Sequence, residues 1–269
     1  MSFEVKEGEV VGFLGPNGAG KSTTIRCMMD FLRPTDGEVT IFGKNVLNGG
    51  KWIREEIGFL SGEVNLYNNW SGKEHIRLIK GVKHTKTVEK ELVERLDFDQ
   101  SKKVKQLSSG NKQKLGLILA FMHNPKLLML DEPTTGLDPF LQQNVTQLVR
   151  ERAEQGSTVF LSSHNLAEVE RTCDRVIIIK EGKIVAMQSI TELKRKKLYT
   201  AYVHFDGKPP KNSELESKGI SVIRRVNNGY QIQVKGDIDP FLKELTKYKL
   251  SDVEILHASL EEIFLEFYQ

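Results

Sequence analysis

The stretch that decides the fold of this chain is Gly15-Pro16-Asn17-Gly18-Ala19-Gly20-Lys21-Ser22-Thr23. It matches the pattern G-x-x-x-x-G-K-[ST] and comes directly after Val10–Leu14, a short apolar run that predicts a buried strand. A helix is predicted from Lys21 to about Phe31, before Pro34 and an Asp-Gly turn. A strand, a glycine-rich turn and a helix in this order predict a phosphate-binding loop, here called the P-loop.

The chemistry of the P-loop predicts a site for the phosphates of a nucleotide. Its glycines allow backbone N–H groups to turn inward around a phosphate chain, and the helix N-terminus adds the positive end of its dipole. We expect Lys21 to neutralise the β- and γ-phosphates and the Ser22 hydroxyl to be a ligand of Mg²⁺. A glycine-rich turn without a ligand is the alternative, and the agreement of motif and context disfavours it.

A second signal is a pair of carboxylates at the end of an apolar run. Residues 127–130 are Leu-Leu-Met-Leu, and Asp131 and Glu132 follow them directly. This places both acids at the carboxyl end of a predicted strand, where open α/β sheets bind ligands. Asp131 can hold Mg²⁺, and Glu132 can act as a general base on an attacking water. By itself such a pair is often only a strand end, but the P-loop upstream favours a functional role.

Apolar strands alternate with helical patterns up to about residue 190, which predicts an α/β fold with a mostly parallel sheet. We assign residues 1–190 to this domain. Residues 71–122 have a helical pattern and are predicted to be a helical insertion into it. Asp138 and Asn165 are predicted helix N-caps, the latter in a capping box with Glu168. Further strands are predicted at residues 39–42, 57–60, 159–162 and 176–179.

The character of the sequence changes after Thr191, and residues 198–269 are predicted to be a small α+β domain. Its predicted elements follow the order βαββαβ with a last helix, which suggests a ferredoxin-like fold. A capping box at Ser259-Leu260-Glu261-Glu262 is predicted to begin that helix. The basic run Lys194-Arg195-Lys196-Lys197 is interpreted as a solvated linker, with contact to anionic lipid headgroups as the alternative.

Composition and charge exclude several classes of protein. Of the 269 residues, 28% are charged and 39% are hydrophobic, which excludes a disordered, a collagen-like or a disulfide-rich chain. The net charge of +3 is too small for a general nucleic-acid binder, so no nucleic-acid partner is expected. Cys27 and Cys173 lie far apart without a second ligand at metal spacing, which indicates a reducing compartment and no zinc site. No apolar stretch approaches the roughly 18 residues of a membrane span, so we expect a cytoplasmic protein.

A third segment lies between the P-loop and the Asp131-Glu132 pair, and its position supports a functional interpretation. Its sequence is Leu107-Ser108-Ser109-Gly110-Asn111. By itself it predicts only a polar helix start. Together the three features resemble the ATP-binding cassette (ABC) family of transport ATPases, whose signature L-S-G-G-Q lies at this place. Thr135-Gly136-Leu137-Asp138 is similar to the D-loop of that family, and Leu161-Ser162-Ser163-His164 is similar to the strand end that carries its switch histidine.

The resemblance implies a P-loop NTPase fold that hydrolyses ATP with Mg²⁺, in which two cassettes meet head to tail. ATP would lie between the P-loop of one subunit and Ser108 and Gly110 of the other, with Asp138 also at the nucleotide. Glu132 and His164 would be the catalytic residues, since His164 would contact the γ-phosphate and orient Glu132 and water. ATP would close the dimer and hydrolysis would open it. The second subunit would be a copy of this chain or a related cassette.

The segment after Thr191 resembles the C-terminal extension of ABC subunits from bacterial exporters whose membrane domain is a separate polypeptide. The ending Ser259-Leu260-Glu261-Glu262-Ile263-Phe264 carries this similarity. It implies an integral membrane permease as a partner. It also implies a location at the inner face of the cell membrane, where the chain would be held by that permease.

The sequence departs from the family at three places. Gly62 stands where a loop that faces the membrane partner usually has a glutamine, and Glu63 follows it, so either Glu63 substitutes or coupling to transport differs. In the signature, Ser109 and Asn111 replace Gly and Gln. The first strand is expected to begin at about Ser2, without the upstream strand and adenine-stacking aromatic residue of the family, which would leave a sheet edge bare.

The leading hypothesis is therefore an ATPase subunit that drives an ABC exporter, and two alternatives stay open. One is a soluble cassette ATPase acting on nucleic acid or the ribosome, although such proteins usually have two cassettes or a long coiled coil, and salt-sensitive binding would favour it. The other is a regulatory nucleotide-binding module with little hydrolysis, which Gly62 and the missing aromatic residue suggest.

Overall fold

The structure of the chain is a computed structural model that describes residues 1–83, 87–195 and 198–257. It has two compact units, Met1–Ser189 and Ile190–Gln269. The elements of the first unit are, in chain order, β1 (Val10–Leu14), α1 (Lys21–Met28), β2 (Thr40–Ile41), β3 (Lys44–Asn45), α2 (Val46–Glu55), β4 (Ile57–Leu60), α3 (Gly72–Lys83), α4 (Glu89–Arg95), a 3-10 turn (Val104–Gln106), α5 (Ser109–Phe121), β5 (Leu127–Asp131), α6 (Pro139–Glu154), β6 (Thr158–Ser163), α7 (Leu166–Thr172), β7 (Arg175–Lys180) and β8 (Lys183–Ser189).

The first unit is built around a sheet with the strand order β4-β5-β6-β1-β7-β8. Neighbouring strands are parallel except for β7 and β8, which are antiparallel. All residues of β1, β5 and β6 are buried, as expected for strands that are covered on both faces. This places the apolar runs of the sequence at the centre of the unit.

The register of the sheet brings three chain segments together. Asp131 at the end of β5 is opposite Ser162 of β6, and Leu14 at the end of β1 is opposite Ser163. Because the strands are parallel, the residues that follow them all emerge at one edge of the sheet. The P-loop, Glu132 and His164 therefore start from neighbouring positions.

The described elements between β4 and β5 are all helical. The short helix α4 buries Leu92 completely, and Leu96 behind it is equally buried. Helix α5 is apolar over most of its length and buries residues on several faces, including Leu115 and Phe121. A helix that is buried on most sides belongs to the interior of a domain.

Two predicted element boundaries were wrong, and one helix was missed. Helix α1 ends at Met28 rather than Phe31, because Asp30 has a left-handed backbone with φ 58°. The strand predicted at 39–42 has only the residues of β2, since Phe42 with φ 52° turns the chain into β3. Helix α2 was not predicted, although Asn45 caps it by accepting a hydrogen bond from the backbone N–H of Leu47 at 3.0 Å.

The prediction of a strand beginning at about Ser2 was also wrong. Strand β1 begins at Val10, after a turn in which Gly8 has φ 74° and the Glu9 N–H donates to the Lys6 carbonyl at 3.2 Å. The ring of Phe3 packs against Phe13 and Phe160, with 5.8 Å between centroids in each pair. Strand β1 lies between β6 and β7, so it is not a bare edge.

The second unit has its own sheet and its own core. The strand order is β10-β11-β9-β12, and every neighbouring pair is antiparallel. The predicted capping box at residues 259–262 lies outside the described residues, as do Lys196 and Lys197 of the basic run. The elements are α8 (Ile190–Arg195), β9 (Leu198–Phe205), α9 (Asn212–Leu215), β10 (Ile220–Val226), β11 (Gly229–Lys235), α10 (Asp239–Leu245) and β12 (Leu250–His257).

Among the residues that the structure describes, none of the helices is both long and apolar enough to cross a bilayer.

Candidate active site

The P-loop begins directly at the end of β1 and runs into α1. Gly18 and Gly20 have φ values of 80° and 107°, a left-handed backbone that favours glycine. Gly15 has no room for a side chain, because a Cβ atom there would lie 2.5 Å from the Ile179 carbonyl oxygen of β7. The remaining members of the predicted loop divide by exposure: Pro16, Asn17 and Thr23 are exposed, Ser22 is half-buried, and Ala19 and Lys21 are buried.

Lys21 holds its ammonium group inside the loop. Its Nζ atom donates to the Gly15 carbonyl at 2.7 Å and to the Pro16 carbonyl at 3.4 Å. It also lies 3.3 Å from Oε1 of Glu132, although that oxygen has no hydrogen bond among the described residues, so the contact is an ion pair without a directed bond. A buried cation is thus balanced by backbone dipoles and one carboxylate.

Glu132 and His164 are brought into direct contact. Nδ1 of His164 lies 2.7 Å from Oε2 of Glu132. Glu132 has a left-handed backbone with φ 52°, a conformation that costs about 1–3 kcal/mol in a residue with a side chain and that clusters at functional sites. Its backbone N–H donates to the Ser162 hydroxyl at 3.1 Å, which holds this turn against β6.

Asp131 is buried at the end of β5, next to these groups. Its Oδ1 atom accepts a hydrogen bond from the Ser162 hydroxyl at 2.5 Å. A Cβ atom added to Gly62 would lie 3.1 Å from Oδ2 of Asp131, so a side chain at this position would crowd the carboxylate. Glu63 is exposed.

The signature segment is placed by a helix cap and a close backbone approach. The exposed Ser108 caps α5, since its hydroxyl accepts from the Asn111 backbone N–H at 3.3 Å and from the Asn111 side-chain amide at 3.2 Å. A Cβ atom on Gly110 would lie 2.9 Å from the Gly136 carbonyl oxygen, so only glycine fits between α5 and the D-loop. Asp138 caps α6 as predicted, accepting from the Leu141 N–H at 3.0 Å.

Two supporting residues had no role in the sequence interpretation. Ser162 contacts both members of the carboxylate pair, and it lay unassigned within the quoted strand end before His164. The side-chain amide of Gln113 donates to the carbonyls of Glu132 and Pro133 at 3.2 and 3.0 Å. Gln113 thereby connects the signature helix to the turn that carries Glu132, and its polar neighbours Lys112 and Lys114 left no signal that would set it apart.

Within the described part of the chain, no group of three or more His, Cys, Asp or Glu side chains could hold a metal ion. The expected Mg²⁺ ligands, Ser22 and Asp131, are a hydroxyl and a carboxylate, and Mg²⁺ in phosphate sites is typically bound by one or two protein oxygens together with phosphate and water.

Comparisons with known proteins agree with one another. The profile of the family described as "ABC transporter" matches residues 1–135. The chain is 35% identical to the ABC transporter ATP-binding protein YhcH of Bacillus subtilis, over 99% of this chain and 89% of that protein. It is 39% identical to the bacitracin transport ATP-binding protein BcrA of Bacillus licheniformis, over 73% of this chain and 66% of that protein.

Solved structures show the same relationship. The ATP-binding subunit of an ABC transporter superimposes with a TM-score of 0.67 at 31% identity, over 72% of this chain and 83% of that one. The dimeric cassette MJ0796, in a post-hydrolysis state with ADP and Pi, gives a TM-score of 0.63 at 27% identity, over 70% and 88%. The predicted P-loop NTPase fold is confirmed. The chain therefore belongs to the ABC transporter family, as an ATP-hydrolysing nucleotide-binding subunit that powers a transporter.

Proposed function

We propose that the chain binds ATP with Mg²⁺ at its P-loop and hydrolyses it with Glu132 as the general base, to drive export through a membrane permease. The observation that carries this proposal is the cluster of Lys21, Glu132 and His164 at the edge where β1, β5 and β6 end. A cation for phosphate, a carboxylate for water and a histidine that contacts the carboxylate are the groups that the hydrolysis of a phosphoanhydride needs.

The residues of this chain would divide the chemistry between them. The Lys21 ammonium would leave its contacts with the loop carbonyls and Glu132 and neutralise the β- and γ-phosphates. Glu132, freed on one oxygen, would accept a proton from the attacking water, and His164 would fix the other oxygen and contact the γ-phosphate. Bound Mg²⁺ would supply positive charge to the phosphates. The Ser22 hydroxyl and Asp131 carboxylate fit it, because both are hard oxygen ligands and no Cβ atom at Gly62 crowds Asp131 Oδ2.

We further infer that a second subunit completes the ATP-binding site. Ser108 and Gly110 begin a helix at an exposed surface, where an N-terminus attracts anionic phosphate. Asp138 caps the helix after the D-loop, which touches Gly110 through Gly136. The dimeric state of the MJ0796 cassette supports this arrangement. The second subunit would be a copy of this chain or a related cassette.

Replacing Glu132 by glutamine tests the proposed base. Glu132→Gln should lower ATP turnover by at least about 100-fold, the usual contribution of a positioned base, while ATP binding persists and an ATP-bound dimer accumulates on gel filtration. The exposed Glu154 at the end of α6 offers a matched control, and Glu154→Gln should hydrolyse ATP like the parent. Unchanged turnover in Glu132→Gln would show that Glu132 is not the general base.

We propose the exposed apolar side chains after Gly62 as the contact surface for the permease. Tyr67, Leu78 and Val82 have exposed fractions of 62%, 43% and 56%, and Trp70 packs on Tyr67. Exposed apolar patches of this kind mark protein contacts. The solved cbiO1 protein, described as part of a cbiONQ transporter complex, and the transport role of BcrA support such a partner. The chain would then sit at the inner face of the membrane, held by the permease.

A charged substitution tests this surface. Leu78→Glu should abolish co-purification with the co-expressed permease, because a carboxylate would have to be buried in the contact. ATP-dependent dimerisation should persist, since Leu78 is in α3 and not at the P-loop. Full retention of the permease by Leu78→Glu would place the contact elsewhere.

We also propose that residues 71–122 form an inserted helical subdomain and that residues 198–269 form a ferredoxin-like accessory domain. The second proposal is supported by the order βαββαβ and by the arrangement of the strands, in which β9 and β11 are central and β10 and β12 are at the edges. The transport names of the relatives favour a transporter subunit over a soluble or regulatory ATPase.

A further inference from the structure

Glu168 is a buried acid in the first turn of α7, only 7% exposed. No ion pair of its carboxyl group is found within the described ranges, and its partners are hydroxyl groups. An acid buried without a cation is costly to keep ionised. Burial accordingly raises the pKa of Glu168, and the negative charge of Glu132 adds to this effect.

The hydrogen bonds of Glu168 join the two segments that carry the proposed catalytic groups. Its Oε2 atom lies 2.6 Å from the hydroxyl of Ser163, the residue directly before His164. The hydroxyl of Thr134, which follows Glu132 by two residues, also acts on this carboxyl group and lowers the pKa of Glu168. One buried side chain thus connects the end of β6 with the turn after β5.

Capping of α7 does not account for this side chain. In a capping box the Glu168 carboxylate would return to the backbone N–H of Asn165. That N–H donates instead to the Ser163 hydroxyl at 3.0 Å, and only half of the predicted box is present, the bond from the Glu168 N–H to Asn165 Oδ1 at 3.2 Å. The carboxyl group is therefore directed away from the cap and toward the two catalytic segments.

We infer that Glu168 is a positioning residue of the hydrolysis reaction: by holding Ser163 and Thr134 together, it keeps His164 in contact with Glu132. This inference rests on the proposed roles of Glu132 and His164. Their contact of 2.7 Å joins two flexible side chains on separate strand ends, one of them 59% exposed. A fixed distance between the backbones that carry them limits how far they can separate.

Three variants of the full chain separate positioning from simple stability. Glu168→Leu removes both hydrogen bonds and should lower kcat by about tenfold or more, with little change in KM for ATP. Glu168→Gln can still donate and accept, and should stay within a factor of about three of the parent. Thr172→Val is the matched control, because it removes a buried hydroxyl bond of 2.7 Å to the backbone carbonyl of Glu168 without touching either connection.

A loss of kcat in Thr172→Val equal to that in Glu168→Leu would overturn the inference, since any weakening of α7 would then suffice. If Glu168→Leu does not fold, Ser163→Ala removes the connection to Glu168, together with the hydrogen bond that the Ser163 hydroxyl accepts from the Asn165 N–H. It should lower kcat in the same direction, and parent-like kcat would count against positioning.

A double variant distinguishes this inference from the proposed function. If Glu168 acts through His164, then adding Glu168→Leu to His164→Ala should cause little further loss of kcat. If His164→Ala alone retains full turnover, the proposed role of the histidine fails and this inference fails with it. If His164→Ala is impaired but Glu168→Leu is not, or the two losses multiply, Glu168 is not a positioning residue while the proposed function stands.

Discussion

At the scale of single residues, the site depends on positions where a side chain is absent. Gly15 and Gly110 face backbone carbonyls at 2.5 and 2.9 Å from where a Cβ atom would be, so neither can be replaced without moving the main chain. Gly62 differs, because its nearest neighbour is the carboxylate of Asp131. A side chain at position 62 would therefore act directly on the proposed Mg²⁺ ligand.

Gly62→Ala should impair hydrolysis through Asp131. The added Cβ atom would lie 3.1 Å from Oδ2 and 3.3 Å from Cγ of Asp131, so the carboxylate must shift by a few tenths of an ångström. We expect turnover to fall by about tenfold, equivalent to about 1.4 kcal/mol in the barrier, and the Mg²⁺ concentration for half-maximal activity to rise. A titration of ATPase activity with Mg²⁺ measures both.

Gly81 in α3 provides the matched control. A Cβ atom there meets nothing within 4 Å. Gly81→Ala should therefore leave ATP turnover unchanged and stabilise the helix by about 0.5–1 kcal/mol. Equal activity of the two alanine variants would show that Asp131 tolerates the displacement and that hydrolysis does not require a glycine at position 62.

At the scale of elements, the junction after α5 contains a histidine held in its neutral form. Nε2 of His123 lies 3.2 Å from the Ile57 carbonyl at the start of β4. Burial and the positive charge of Lys83 together lower the pKa of His123 from 6.5 to about 4, against smaller opposing effects of nearby backbone carbonyls and Glu56. Lys83 is itself bound to the carbonyls of Arg54 and Glu55 at 2.8 and 2.7 Å.

The stability of the first unit should therefore depend on the charge of His123. Below pH 6.5 the imidazole of His123 becomes protonated in the unfolded chain, whereas in the folded chain it stays neutral down to about pH 4. Stability is thus complete above pH 6.5 and falls between these values by at most about 1.4 kcal/mol per pH unit. Urea unfolding at several pH values gives the free energy of unfolding, which should depend less steeply on pH in His123→Gln than in the parent chain. Parallel curves would assign the pH dependence to other groups.

At the scale of the whole molecule, each unit has its own apolar core, and the predicted site lies in the first unit. All of the predicted site residues lie in Met1–Ser189, together with the apolar cluster around its sheet. The second unit has a separate cluster that includes Val203, Ile232 and Phe241. A unit with its own core can fold without the rest of the chain.

Residues 1–189 alone should accordingly bind and hydrolyse ATP. Activity of this fragment should be of the same order as that of the full chain, measured under conditions where circular dichroism shows it to be folded. The same fragment with Lys21→Ala is the control and should be inactive. A folded fragment without ATPase activity would show that the second unit contributes to catalysis.

The candidate site was proposed from the sequence in more detail than the elements around it. The P-loop and the Asp131-Glu132 pair were proposed because phosphate chemistry needs these residue types at strand ends, and His164 was proposed from the resemblance to the ABC family. The elements that were missed or misplaced, such as α2 and the start of β1, depend on single left-handed residues and on turns. Such features have weak signals, since several residue types can adopt them when packing compensates.

By itself, the sequence determined the family and most of the alternation of strands and helices, because these follow from motifs and from periodicity along the chain. Only the tertiary structure decided which strands are neighbours, and so that Lys21, Glu132 and His164 meet at one edge. It alone placed Gly62 against Asp131 and Glu168 between Ser163 and Thr134. The physical reason is that these contacts join residues far apart in the chain, whose distances are set by the parallel register of the sheet and by close packing, which local sequence patterns do not contain.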